Sequence, residues 1–300
     1  MNIIKYKYHF LLLSALVLVP GIISLTVWGL RLAVDFTGGS LLTYQFNTPI
    51  NANDLKTVLN SQGAGVEVIT NTTATEYSIR TKPINTADID KIKSAVSQKF
   101  KGATLRAFET VGPVIGKETT QNAIVSLFWA SVGILLFIAY AFRNIPKPYS
   151  SFRFGISAII AMLHDAFVVL GIFSILGHFL KIEIDSLFIT AMLTVIGFSV
   201  HDTIVVFDRI RENLNKLPKQ MGFEEVVNYS VVETLNRSLA TSFTVLLTLL
   251  ALYLLGGETI KNFVLAMLVG IFSGTYSSIF TASPILVIWE KWISKKRTKV

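Results

Sequence analysis

The sequence predicts a polytopic α-helical membrane protein with six transmembrane helices and a small α+β domain between the first two. Three observations carry that prediction. The composition is 52% hydrophobic and only 15% charged; six stretches are apolar for long enough to span a bilayer; and one long polar interval alternates between strand and helix periodicities. A mean hydropathy of +0.57 over 300 residues is too apolar for a surface facing water.

A bilayer core about 30 Å thick needs roughly 20 apolar residues as helix. The stretches 10–30, 122–142, 154–177, 186–207, 238–255 and 263–289 meet that length. The chain therefore divides into an N-terminus with the first span (1–30), an inserted domain (31–121), five further spans (122–289) and a basic tail (290–300). The first stretch is about twice the length of a signal-peptide apolar core and no small-residue cleavage site follows it, so it is expected to remain as an anchor. Pro20-Gly21 within it reads as a tolerated kink.

The net charge of +8 invites a nucleic-acid reading until the basic residues are located. Fifteen Lys and Arg fall in the two termini and the even-numbered loops, against two in the short odd-numbered loops. That asymmetry is topological. It places both termini in the cytoplasm and residues 31–121 outside, because long domains cross largely regardless of their charge. No partnership with nucleic acid is expected. With no cysteine in the chain, the external domain cannot rely on disulfides.

Within the inserted domain, 40–47 reads as a strand. Residues 51–62 read as a helix with Leu55, Val58 and Leu59 at helical spacing, an Asn cap before it and Gly63 and Gly65 after it. Strands are expected at 66–70 and 76–82 around an Asn- and Thr-rich turn. A second helix follows at 86–100 through Ile89, Ile92, Val96 and Phe100, and a last strand at 103–111. The order βαββαβ is the ferredoxin-like arrangement.

In the last span Ala266, Gly270, Gly274, Ser278 and Ala282 recur at intervals of four. Such a row of small residues lets another helix approach closely, either within this bundle or on another subunit.

No Walker loop, no GxGxxG after a strand and no metal-ligand spacing among the four histidines is present, so no enzyme, catalytic residue, cofactor or metal is expected. Instead, ionisable residues interrupt the spans, each at an insertion cost of about 2.5–3.5 kcal/mol near a helix centre. His164-Asp165 lies near the middle of the third span, as a hydrogen-bonded strut or as part of a relay. His201-Asp202 interrupts the fourth, with Ser199 on the same face. Arg237 stands at the mouth of the fifth, where it either pairs with Asp202 across two helices or extends to the interface. Asp208, Arg209, Arg211 and Glu212 read as solvated charges.

Four segments resemble a known family. Val34-Asp35-Phe36-Thr37-Gly38-Gly39 is similar to the DFTGG signature of the SecF family of bacterial protein export, and Val111-Gly112-Pro113-Val114-Ile115-Gly116-Lys117-Glu118 to its VGPxxGxE element. The run from Ile196 to Asn213, containing Gly197-Phe198-Ser199-Val200-His201-Asp202-Thr203, resembles its fourth-helix motif. Thr234-Leu235-Asn236-Arg237-Ser238 resembles the start of its fifth helix. At position 201 the chain has His where the common pattern has Asn, which adds a titratable group beside Asp202. Gly38 and Gly39 suit a sharp backbone turn after the first span.

The resemblance implies half of a resistance-nodulation-division transporter, whose full form has twelve helices in two repeats. It further implies an inner-membrane location, SecD as the other half, association with the SecYEG channel and the translocating preprotein, and work drawn from the proton-motive force through Asp202, Arg237, His201, Asp165 and His164. A passive scaffold of the translocon and half of a small-molecule exporter are the competing functions.

Overall fold

A computed structural model describes residues 2–71, 73–218 and 220–297 of the chain. Six helical stretches are long and apolar enough to cross a membrane: Ile4–Trp28, Pro113–Ala141, Ser151–Phe179, Ser186–Lys216, Phe223–Leu255 and Lys261–Lys295. In chain order the elements are α1 (Lys7–Trp28), the single turn α2 (Val34–Thr37), β1 (Gly39–Gln45), α3 (Ala52–Ser61), β2 (Val66–Asn71), β3 (Glu76–Thr81), α4 (Ile89–Lys99) and β4 (Thr104–Val111). The remaining helices are α5 (Pro113–Ala141), α6 (Ser151–Phe179), α7 (Ser186–Lys216), α8 (Phe223–Leu255), α9 (Lys261–Ser277) and α10 (Ser283–Arg297).

Several helices outrun the apolar stretches that announce them. α5 starts at Pro113, a residue suited to a first helical turn because its missing N–H would be unpaired there anyway. α8 starts at Phe223 because Val226, Val227, Ser230, Val231 and Thr234 form a buried face at helical spacing ahead of the apolar run. Residues 290–297, expected as tail, continue α10; 298–300 lie outside the described residues. Between α9 and α10 the span contains one π-helical stretch, Ser278–Ala282. Pro284 follows it, and with no N–H to donate to the carbonyl four residues back it favours such a widened turn.

The chain separates into two compact units, one of spanning helices and one comprising Arg31–Val125 with Glu183–Ser186. In the latter, four antiparallel strands take the order β2-β3-β1-β4, the ferredoxin-like topology. β3 alternates as expected of a half-covered strand, burying Tyr77, Ile79 and Thr81. Tyr77 and Ile79 pack with Leu42 and Tyr44 of β1, Leu55 and Leu59 of α3, and Ile92 and Val96 of α4 into one apolar core. Asn51 caps α3, its side chain accepting from the Asn53 N–H at 2.9 Å. Burial pushes the Tyr44 hydroxyl up to about 12.

The DFTGG turn leads into β1. Gly38 and Gly39 have φ of 72° and 121°, and a Cβ on Gly39 would stand 2.8 Å from the Thr81 carbonyl oxygen; a larger residue fits neither the dihedral nor the space. The start of α5 packs on the same turn. A Cβ on Gly116 would lie 2.7 Å from the Gly38 nitrogen, and the Thr120 hydroxyl is within 3.2 Å of the Phe36 carbonyl. Gly112 and Pro113 form the corner between β4 and α5.

In the helical unit, Ile4, Phe142, Phe154, Phe207, Val231 and Leu286 share a core with further residues of α5, α6, α7, α8 and α10. α1 crosses α6 backbone to backbone where Gly21 meets Gly171, and Ser24 and Ser174 hydroxyls bond at 2.7 Å one turn along. Arg153, in the first turn of α6, and Glu290 of α10 form a buried ion pair at 3.1 Å.

Candidate functional site

The site begins with the row of small residues. Along α9 and the π-helical stretch that follows it, Gly270, Gly274 and Ser278 face Val195, Ser199 and Thr203 of α7, two sets each spaced by four residues. A Cβ on Gly270 would stand 2.2 Å from Val195, and one on Gly274 would stand 3.1 Å from the Ser199 Cβ. The Thr203 and Ser278 hydroxyls bond at 2.9 Å. Ala266 and Ala282, both fully buried, extend the row at its two ends. The row is therefore occupied by this chain's own α7 along those turns.

Close approach of α7 and α9 leaves room for one carboxylate from α6. Asp165 is wholly buried and receives four donors. Ser199 Oγ at 2.6 Å and Ser277 Oγ at 2.5 Å reach Oδ2, and Ser273 Oγ at 2.6 Å reaches Oδ1. His164 Nδ1 lies 3.0 Å from Oδ1. An ionised carboxylate is an acceptor only, so the three hydroxyls and the imidazole N–H all point inward. A charge held by four donors is the condition under which a buried ion is tolerated. His164 also lines a cavity of about 570 Å³ bounded mainly by Leu13, Val17, Leu246, Leu268 and Phe272, and its Nε2 has no hydrogen-bond partner.

Asp202 contrasts with this. It is 6% exposed, and its Oδ2 is buried without a hydrogen-bond partner. The cross-helix pair with Arg237 is not formed: among the described residues no ion pair joins them, and Arg237 is exposed. Helix geometry gives the reason. Adjacent residues point about 100° apart, so with Ser238 turned into the bundle beside Asp202, Arg237 faces out. His201, next to Asp202, is likewise exposed.

The structure thus gathers His164 and Asp165 with Ser199 into one cluster and leaves Asp202, His201 and Arg237 outside it. Ser273 and Ser277, two of the four donors, escaped the sequence reading, although their spacing of four around Gly274 in an apolar helix was a usable signal. Past Asp202, α7 carries paired charges: Arg211 with Asp208 at 2.6 Å and Arg209 with Glu212 at 2.8 Å. Asn213 donates to Ser230 and Glu233 of α8, both at 3.0 Å. Among the described residues, no group of three or more His, Cys, Asp or Glu side chains could hold a metal ion.

Comparison with known proteins covers nearly the whole chain. The family model described as "Protein export membrane protein SecD/SecF, C-terminal" matches residues 91–292, and that of the SecD/SecF GG motif matches residues 23–50. Protein translocase subunit SecF of Thermobaculum terrenum is 48% identical, the match covering 96% of this chain and 94% of that protein; the SecF of Anaerolinea thermophila is 40% identical over 97% and 94%. Protein translocase subunit SecDF of Thermus thermophilus is 38% identical over 87% of this chain and 35% of its own length. The crystal structure of SecDF from that organism, described as a translocon-associated membrane protein, superposes with a TM-score of 0.83 at 33% identity, covering 97% of this chain and 39% of that one. The chain thus spans about two fifths of that longer protein.

Proposed function

The chain belongs to the SecD/SecF family of protein export membrane proteins, and from that premise we propose that it is the proton-coupled half of a two-part motor for late protein export. As a multi-pass protein of the bacterial membrane with a role in export, it needs a second half. SecD is the proposed partner, since a relative carries matching sequence in a chain named SecDF that is about two and a half times as long. The SecYEG channel and the emerging preprotein are the proposed targets, and both termini are proposed to be cytoplasmic with the sheet unit outside.

One observation carries the coupling role. Asp202 keeps a carboxylate oxygen buried and unpartnered in a spanning helix, while Arg237 and His201 are exposed close by in sequence and across the helix pair. A buried oxygen with no donor is costly and is the natural place for an arriving proton. Protonation removes the charge that opposes burial, and departure of the proton restores it, so the packing of α7 against its neighbours has two states for the ion to choose between. Arg237, unpaired with Asp202 in this chain, is available to answer a charge on the other half. Each proton crossing would draw about 2.3 kcal/mol per 100 mV of membrane potential.

The test is release of a secreted protein from proteoliposomes containing SecYEG, SecD and this chain, with and without a proton gradient. Wild type should speed release only with the gradient, and Asp202→Asn, assembled to normal levels, should lose that dependence. Equal release and equal gradient dependence in the two would replace coupling with a passive scaffold.

A further inference from the structure

The second half of the loop between α6 and α7, together with the first residue of α7, does not group with the spanning helices. Glu183–Ser186 clusters with Arg31–Val125, and the contacts responsible are backbone and side chain alike. Leu32 and Ile184 form a parallel bridge, the Ile184 N–H donates to the Arg31 carbonyl at 2.8 Å, and the Ala33 N–H donates to the Ile184 carbonyl at 2.8 Å. Glu183 lies 3.0 Å from Arg31 and 3.6 Å from Arg80. Asp35 closes the link: its Oδ2 accepts from the Ser186 N–H at 2.9 Å and from the Ser186 hydroxyl at 2.6 Å.

Ser186 is the first residue of α7. The first N–H groups of a helix have no partner inside it, and the helix dipole makes that end favour an anion. A carboxylate usually supplies this cap from the residue just before the helix; here it also comes from 151 residues away in sequence. The same Asp35 sits in α2, which runs through Gly38 and Gly39 directly into β1, the strand flanked by β3 and β4. In the other direction α7 continues without a break past Ser199 and Asp202. Sixteen residues separate Ser186 from Asp202, about 24 Å of helix at 1.5 Å per residue.

We infer that Asp35 is a positioning residue for transport: by capping α7 it ties the start of the Asp202 helix to the turn that feeds the central sheet, so that a displacement of α7 is delivered to β1. The inference rests on the coupling role proposed for Asp202 and adds the output side of that coupling. It also distinguishes a hydrogen-bonded cap from a mere charge. Asn keeps an acceptor oxygen and serves as a helix cap about as well as Asp, whereas Val offers nothing to the Ser186 N–H or hydroxyl.

The experiment compares wild type, Asp35→Asn, Asp35→Val and Asp202→Asn in proteoliposomes with SecD and SecYEG, reading three quantities on each. These are gradient-dependent release of a secreted protein, proton entry reported by a trapped pH-sensitive dye, and hydrogen exchange of the first-turn amides of α7. Asp35→Asn should stay within about 2-fold of wild type in all three. Asp35→Val should lose protection at the Ser186 amide and drop gradient-dependent release by at least about 5-fold while keeping proton entry, and Asp202→Asn should lose release and proton entry with the amide still protected. Wild-type release in Asp35→Val, or equal damage from Asn and Val, overturns the inference. So does an unprotected Ser186 amide in wild type, which needs no gradient to read. Failure of the coupling role has a different signature, because proton entry would then be the same in wild type and Asp202→Asn.

Discussion

Two aspartates sit in neighbouring spanning helices and are treated in opposite ways. Asp165 is sealed: three serine hydroxyls and an imidazole occupy its two oxygens at 2.5–3.0 Å, and the helices that supply them pack glycine to side chain. Asp202, three residues beyond Ser199 on α7, has a buried Oδ2 with no hydrogen-bond partner, and the Ser238 hydroxyl beside it. A single helix thus delivers a hydroxyl to the first carboxylate and holds the second open. The difference teaches how to separate a carboxylate that holds a bundle together from one that is available to an ion, since cost of burial alone does not tell them apart. What tells them apart is whether the chain has satisfied the charge itself.

The comparison breaks first at Asp165. Asp165→Ala strands three buried hydroxyls and an imidazole N–H, and its cost should be about 3–5 kcal/mol, the range seen when one partner of a buried charged network is removed. Denaturant unfolding of the purified chain in detergent measures it, and a loss under about 1 kcal/mol would mean that the cluster contributes little. Next comes Gly274→Val, which forces a branched side chain against Ser199, where a Cβ alone is already at 3.1 Å. Overpacking of this kind should cost about 1–3 kcal/mol, and unchanged stability would show that α7 and α9 can separate freely. Smallest of the three is Ser273→Ala, which removes one of the two donors to Oδ1 and should cost about 1.5 kcal/mol, the low end for one hydrogen bond to a charged group.

The sequence was most legible where a single periodicity ruled. Six apolar runs and the period-2 and period-3.6 segments of the inserted domain foretold six spans and the βαββαβ order, because burial on one face leaves a visible pattern. The helix ends were less legible: the first four turns of α8 bury Val226, Val227 and Val231 on one face but are too polar to pass as a span. At the site, the ionisable pairs were visible as breaks in apolar helices, but their status was not. His164-Asp165 and His201-Asp202 look alike in sequence; which carboxylate is closed depends on Ser273 and Ser277, more than a hundred residues from Asp165, reaching it across the seam. Of the two readings of Arg237, the pair with Asp202 is not formed for a similar reason, since a one-residue difference in helix phase puts Ser238 inward and Arg237 outward.

The division between the sealed and the open aspartate is tested most directly by one measurement, the unfolding free energy of Asp165→Asn and Asp202→Asn side by side under identical conditions. Both substitutions are nearly isosteric and both remove one charge. The amide at 165 must turn a donating NH2 toward hydroxyls that already donate, so Asp165→Asn should lose about 1–3 kcal/mol, whereas Asp202→Asn, which removes the charge from a buried oxygen that has no partner, should lose no more than about 0.5 kcal/mol. Equal losses at the two positions, or a larger loss at 202, would contradict the account.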